Sequence, residues 1–245
     1  MIDRLTHSMQ ALQRLMRAQE VTANNMANLN TPGFKADKLF YHSYMEKING
    51  EYVSKVVPRQ TINMEQGHFE STGNPYDLAI EGDGFFEVEL DGQQLLTRNG
   101  RFRLNEDGYL VNEQGAMVTG GSGPVHIPST EQTTTAENEV RLEISKEGNI
   151  LLNGILHDKI DLVTTERFEQ LERHSSGYFT APEGVVLIPD KKSAIMQGYY
   201  EAGNVSPLRE LSEMMTNANA FEAQQKALTT TDELLSRATA SLGKF

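Results

Sequence analysis

The chain has 245 residues, with 22 Lys and Arg against 34 Asp and Glu, a formal charge of −12, and neither Cys nor Trp. Without Cys there is no disulfide framework, thiolate metal site or cysteine nucleophile, and the acidic balance argues against broad binding to nucleic acid or an anionic membrane, both of which need surplus Lys and Arg. No run approaches the roughly 18 apolar residues of a membrane-spanning helix, and Met1–His7 lacks the apolar core of a signal peptide; on that ground alone the chain reads as cytosolic.

From the N-terminus, Ile2, Leu5, Met9, Leu12 and Met16 recur at spacings of three and four, an apolar seam of the coiled-coil kind. Gln19 interrupts it, and Ala23 and Met26 resume it. The seam predicts a helix over residues 3–28, ~39 Å long at 1.5 Å per residue. Pro32 turns Thr31 out of the helical region and Gly33 permits a left-handed turn, so a first segment closes at residue 34. Residues 35–70 read as an extended linker with some helix around 38–48.

Residues 71–203 read as β. Asp91-Gly92, Asn99-Gly100, Asp107-Gly108, Gly148-Asn149 and Asn153-Gly154 are turn signals, and Asn-Gly or Asp-Gly between β-rich runs is the strongest short-range hairpin signal. The β-rich runs include residues 86–90, 101–104 and 184–189, whereas 120–124 and 129–138 read as loops. From residue 204 the pattern turns helical again. Ser206 caps and Pro207 opens a helix, and Met214, Phe221, Leu228, Leu235 and Leu242 recur every seven residues. Their partner positions, Leu211, Ala218, Gln225, Asp232 and Thr239, grow polar, and Gly243 suits a helix stop. With Thr- and Asn-rich runs inside it, this helix needs a packing partner. The two ends are nearly neutral, so the acidity sits between them. The expected class is α+β: terminal helices pairing as a coiled-coil-like domain, with an inserted, mainly antiparallel β domain.

Signals for chemistry are weak. His7, His42, His68, His126, His157 and His174 include no pair at helical spacing, so no metal site is expected. Glu81-Gly82-Asp83-Gly84 lacks the alternating ligands of a calcium loop and reads as an acidic turn. There is no phosphate-binding glycine loop and no nucleophile elbow, and no cofactor or catalytic residue is expected. A pair of carboxylates could meet for glycoside hydrolysis, but nothing selects one.

The distinctive stretch is residues 22–35, where Asn24, Asn25, Asn28 and Asn30 crowd the helix end. Asn is a poor helix former whose amide both donates and accepts, so these residues read either as a helix stop or as a polar, register-setting contact between packed helices. The motif through Asn30-Thr31-Pro32-Gly33-Phe34-Lys35 resembles the N-terminal signature of the bacterial flagellar axial proteins, the rod and hook family. Residues 73–86, residues 96–102 with 107–111, and residues 203–205 through 221–223 resemble further blocks of that family in the same order. Gly203 stands where the family pattern has serine, and Asp232 and Thr239 weaken the last seam. The middle is too short for a hook protein, so the resemblance is to the rod branch, more to its proximal than to its distal type.

The resemblance implies a structural subunit, not an enzyme. Copies would polymerise through the terminal helices into the envelope-spanning, periplasmic rod of the basal body, which carries torque from motor to hook. Implied partners are copies of itself, other flagellar rod proteins above and below, and the flagellar type III export apparatus, which would deliver the chain without a cleaved signal peptide. No nucleic acid or small-molecule substrate is implied. The expected subunit-contact residues are Ile2, Leu5, Met9, Leu12, Met16, Asn24, Asn25, Asn28, Asn30, Phe34, Leu211, Met214, Phe221, Leu228, Leu235 and Leu242. The rival readings are an envelope carbohydrate hydrolase and a soluble coiled-coil adaptor of fixed copy number.

Overall fold

In a computed structural model, which describes residues 2–48, 51–128, 141–175 and 177–242, the N-terminal seam folds as helix α1 (Ile2–Ala27). The side chains of residues 2–7, 46, 48, 51–55, 232 and 234–242 lie outside that description. The helix stops where the sequence stops it: Thr31 N donates to Asn28 O, Phe34 N donates to Thr31 O, and Gly33 takes a φ of +67°. The C-terminal seam is α2 (Pro207–Leu242).

The chain divides into two compact units. The first contains residues 1–27, 37–62 and 205–245. Its helices run antiparallel, with Asn25 near the end of α1 bonded to Glu210 in the first turn of α2. Residues 37–62 correct the sequence reading. In place of an extended linker with helix around 38–48 stand two 12-residue strands, β1 (Asp37–Ile48) and β2 (Glu51–Ile62), in unbroken antiparallel register from Asp37↔Ile62 to Ile48↔Glu51. Aromatic and β-branched residues favour the pairing. A two-stranded ribbon has no wholly buried face, so it shows none of the alternation that identifies a strand. The ribbon rests on α1: Tyr41 OH donates to Arg14 O at 3.0 Å, and the Arg14 guanidinium lies 5.7 Å from the centre of the Tyr41 ring.

The second unit comprises residues 28–36 and 63–204. Its strands in chain order are β3 (Phe69–Ser71), β4 (Leu78–Glu81), β5 (Phe85–Leu90), β6 (Gln93–Thr97), β7 (Arg103–Leu104), β8 (Leu110–Val111), β9 (Met117–Gly120) and β10 (Gly123–Pro124). There follow β11 (Leu142–Ile144), β12 (Asn149–Leu152), β13 (Ile155–Lys159), β14 (Leu162–Thr164), β15 (Glu172–Ser175), β16 (Tyr178–Thr180), β17 (Ile188–Pro189), β18 (Ala194–Gln197) and β19 (Tyr199–Glu201). Among the described residues every ladder is antiparallel. The main sheet runs β15-β16-β6-β5-β9-β8-β7, beside smaller pairings of β11-β12-β13, β18-β4 and β19-β3.

The turn signals mark real turns. Asp91-Gly92 joins β5 to β6 and Asn153-Gly154 joins β12 to β13, each with two positive φ angles (53° and 76°; 51° and 82°), as the right-handed strand twist requires of a two-residue loop. Asp107-Gly108 lies between β7 and β8, and Glu81–Gly84 turns β4 into β5. Two expectations fail. The 184–189 run contributes only Ile188 and Pro189 to a strand, with Val186 left exposed. The 120–124 loop is a tight hairpin that pairs β9 with β10. The expected loop at 129–138 and the helix stop at Gly243 lie outside the described residues.

The β unit packs around Leu78, Ile80, Phe86, Val88, Leu95, Leu110, Val118, Ile150, Ile160 and Ile195. Phe86 meets Phe102 edge-on, with ring centres 5.2 Å apart. Asn99-Gly100 is no hairpin turn. It is a point of close approach, where Gly100 O accepts from Leu78 N and an added Cβ would fall 1.5 Å from the Leu78 carbonyl oxygen. Backbone cannot yield there as a side chain can. Gly100→Ala should therefore lower the chemical-denaturation midpoint of the β unit by the equivalent of about 1–3 kcal/mol or more. An unchanged midpoint would show that the approach is looser than the geometry requires.

Candidate functional site

Two places concentrate the residues singled out in the sequence. The first is a buried ionic cluster in the β unit. Lys35 and Glu201 pair at 2.7 Å, with both side chains 1 % exposed. Lys35 Nζ also donates to Glu65 O at 2.9 Å, and Gly67 N donates to Glu201 Oε1 at 2.8 Å. Arg98 Nη1 reaches Glu201 Oε2 at 3.4 Å, while its Nη2 donates to Gly82 O at 2.7 Å. Burial holds the Lys35 amine below its ordinary pKa, the Glu201 carboxylate opposes that shift, and the nearby Arg98 adds to it. The Asn-rich loop is built into the same place. Gly33 N donates to Glu201 O, Ala36 N to Asn204 Oδ1, and Asn204 Nδ2 to Asn63 O. Phe34 is fully buried with the Arg173 guanidinium 4.7 Å from its ring centre.

The second place is the helical unit. On α1 the sheltered positions are Ser8, Ala11, Leu12, Leu15, Ala18, Gln19, Val21, Thr22, Asn25 and Met26; on α2 they are Glu210, Met214, Asn217, Ala220, Phe221, Gln224 and Leu228. The α1 seam is therefore shifted from the one read in the sequence. Met9 and Met16, 56 % and 53 % exposed, stand outside it. Met214, Phe221 and Leu228 keep their places on α2, but their seam partners are Glu210, Asn217 and Gln224, and Leu211 and Ala218 face outward. Leu208, Leu211, Met215 and Ala218 form an exposed stripe at spacings of three and four, Leu208 being 82 % exposed. Between the helices a groove of about 390 Å³ is lined by Leu15, Met16, Gln19, Ala218 and Phe221 among others. Among the described residues Gln19 Oε1 is buried without a hydrogen-bond partner.

Two of the expected contact residues are buried within the chain. Asn25 is buried, with Oδ1 accepting from Asp37 N at 2.8 Å and Nδ2 donating to Asp37 O and to Glu210 Oε2. It ties α1 to β1 and α2 inside its own chain. Phe34 fills the β-unit core. Asn24 and Asn30 are exposed and Asn28 is half-buried, and Asn30 lines a polar recess of about 220 Å³ with Thr97 and Asn99. The side chains of Ile2, Leu5, Leu235 and Leu242 lie outside the described residues. Sequence reasoning missed Lys35, Arg98 and Glu201 as a cluster, because residues 166 positions apart leave no local signal of a pair.

Comparison with known proteins accounts for all these segments together. Family models match in chain order: "Flagella basal body rod protein" at residues 5–35, "Flagellar hook protein FlgE/F/G D1 domain" at 79–152, and "Flagellar basal body rod FlgEFG protein C-terminal" at 196–241. The flagellar basal-body rod protein FlgF of Caulobacter vibrioides is 32 % identical over 238 residues, covering 94 % of both chains. The chain belongs to the flagellar basal-body rod protein family. FlgF of Salmonella typhimurium is 31 % identical over 94 % of both chains, and FlgG of Agrobacterium fabrum is 31 % identical over 89 % of this chain and 90 % of its own. As a rod protein the chain is structural, not an enzyme.

In this rod protein Glu210 sits where α1, β1 and α2 meet through Asn25, and burial raises its carboxyl pKa above the ordinary 4.5, against a smaller opposing effect of the Asn25 amide. A raised folded-state pKa contributes stability that is complete below the unfolded value and lost as pH rises through the folded one. The melting midpoint followed by helical circular dichroism should therefore fall across that window in the wild type. In Glu210→Gln, which keeps the bond to Asn25 without the charge, that fall should vanish and the neutral-pH midpoint should rise. A steeper fall in the variant would contradict the assignment.

Proposed function

We propose that this chain is a structural subunit of the flagellar basal-body rod, of the proximal type, which polymerises through its helical unit and transmits torque from motor to hook. Its partners are copies of itself and other rod proteins above and below. It reaches the periplasmic, envelope-spanning rod through the flagellar type III export apparatus without a cleaved signal peptide, and uses no nucleic acid or small-molecule substrate. Family membership supports the rod assignment, and the relatives named FlgF support the proximal type.

The observation that carries the assembly reading is the pair of outward stripes: Met9 and Met16 on α1, and Leu208, Leu211 and Met215 on α2. Contiguous exposed apolar surface marks an interaction site. The inner seam includes several polar positions, Thr22, Asn25, Glu210, Asn217 and Gln224 among them, so the α1–α2 pair is a weak coiled coil that neighbours complete. A stripe that met its own copy would close a dimer, whereas a rod is an open array and needs heterologous contacts. The α1 stripe of one copy therefore meets the α2 stripe of the next.

Mixing two full-length variants tests this. Met9→Asp/Met16→Asp loses the first stripe and Leu211→Asp/Met215→Asp loses the second. Wild type should form open, concentration-dependent assemblies by sedimentation, each variant alone should remain monomeric, and an equimolar mixture should stop at a 1:1 dimer. A monomeric mixture, or a variant that still polymerises alone, would refute the pairing.

A further inference from the structure

The ionic cluster also bears on the order in which the protein can fold. Lys35 is bonded to a carboxylate 166 positions away, Ala36 to Asn204 at a separation of 168, and Gly67 to Glu201 at 134. The strand pairings span the unit in the same way. β3 has β19 as its partner and β4 has β18, so residues 69–71 and 78–81 await residues 194–201 for their ladders. Leu78, Ala79 and Ile80 of β4 are all buried, and a buried strand without a partner leaves its backbone groups unpaired. Until Glu201 arrives, Lys35 would enter the core as an uncompensated charge beside Arg98, the least favourable arrangement for a buried ion.

We propose that Glu201 closes a folding interlock: the N-terminal part of the β unit cannot complete its core until residues 194–204 have joined residues 33–36 and 63–67. The long closures are entropically late, and the charges make a partial closure worse than none. The use of this device rests on the export reading above. A chain passed through an export channel would keep its β unit open until residue 201 is through.

Pulsed hydrogen exchange during refolding of the full-length chain tests the interlock without any export step, so its failure would leave the rod assignment untouched. The amides of the β5–β6 ladder should become protected at the same rate as those of Gly33 and Gly67, whose partners lie on Glu201. Glu201→Gln should slow that shared rate by about tenfold or more, as expected of a contact formed in the rate-limiting step. Protection of β5–β6 in an earlier phase, with Gly33 and Gly67 still open, would overturn the proposal. So would a Glu201→Gln chain that folds at the wild-type rate and only unfolds faster. Should that variant fail to fold, the order of protection in the wild type still decides the question.

Discussion

A carboxylate sealed from water must find its counter-charge and its hydrogen-bond donors inside the protein. Glu201 finds them in three separate stretches: Lys35 from the Asn-rich loop, Gly67 from the segment leading into β3, and Arg98 just past the end of β6. Asn204 repeats the pattern three residues later, bonding to Ala36, Asn63 and Glu65. The β unit is thereby drawn together at the ends of its own segments. Breaking such a buried pair by removing one partner typically costs about 3–5 kcal/mol, because the remaining charge is stranded. Within the stretch that the sequence offered as a contact surface, Asn25 and Phe34 are thus interior, while Asn24 and Asn30 stay exposed.

The helical unit follows the opposite rule. Its inner seam mixes Leu12, Leu15, Met214, Phe221 and Leu228 with small or polar residues such as Ala11, Ala18, Thr22 and Asn25, and among the described residues Gln19 leaves a buried acceptor unbonded, at a typical expense of about 1–3 kcal/mol. Outside it, Met9, Met16, Leu208, Leu211 and Met215 are exposed, Met16 also lining the groove between the helices. The proposed assembly uses this contrast: a β unit closed by its own buried contacts, and a helical unit with exposed apolar residues for neighbours to cover.

The parts of the fold legible in the sequence are those written in local chemistry. Asp91-Gly92 and Asn153-Gly154 fix hairpins because few other residue pairs accept two positive φ angles. Pro32 and Gly33 stop α1, and Ser206-Pro207 starts α2. The β1–β2 ribbon was not legible, since Phe40, Tyr41, Tyr44 and Met45 place apolar groups on both faces and so erase the period of two. The α1 seam was legible in part: Leu12 and Met26 are sheltered as read, but Met9 and Met16 are exposed while Ala11, Leu15 and Ala18 pack inward. Of the candidate site, the outward residues Met9, Met16 and Leu211 were readable as apolar repeats. Lys35 and Glu201 could be paired only once the fold had brought them together.

The assembly reading depends most directly on whether the outward stripes are covered in the rod. Hydroxyl-radical oxidation of the methionines, compared between the isolated subunit and purified basal bodies, measures that coverage. Met9, Met16 and Met215 should oxidise readily in the subunit and become strongly protected in the basal body, with Met117 of the β unit as the internal reference. If Met9 and Met215 stay as reactive in the basal body as in the free chain, the helical faces described here are not the surfaces on which the rod is built.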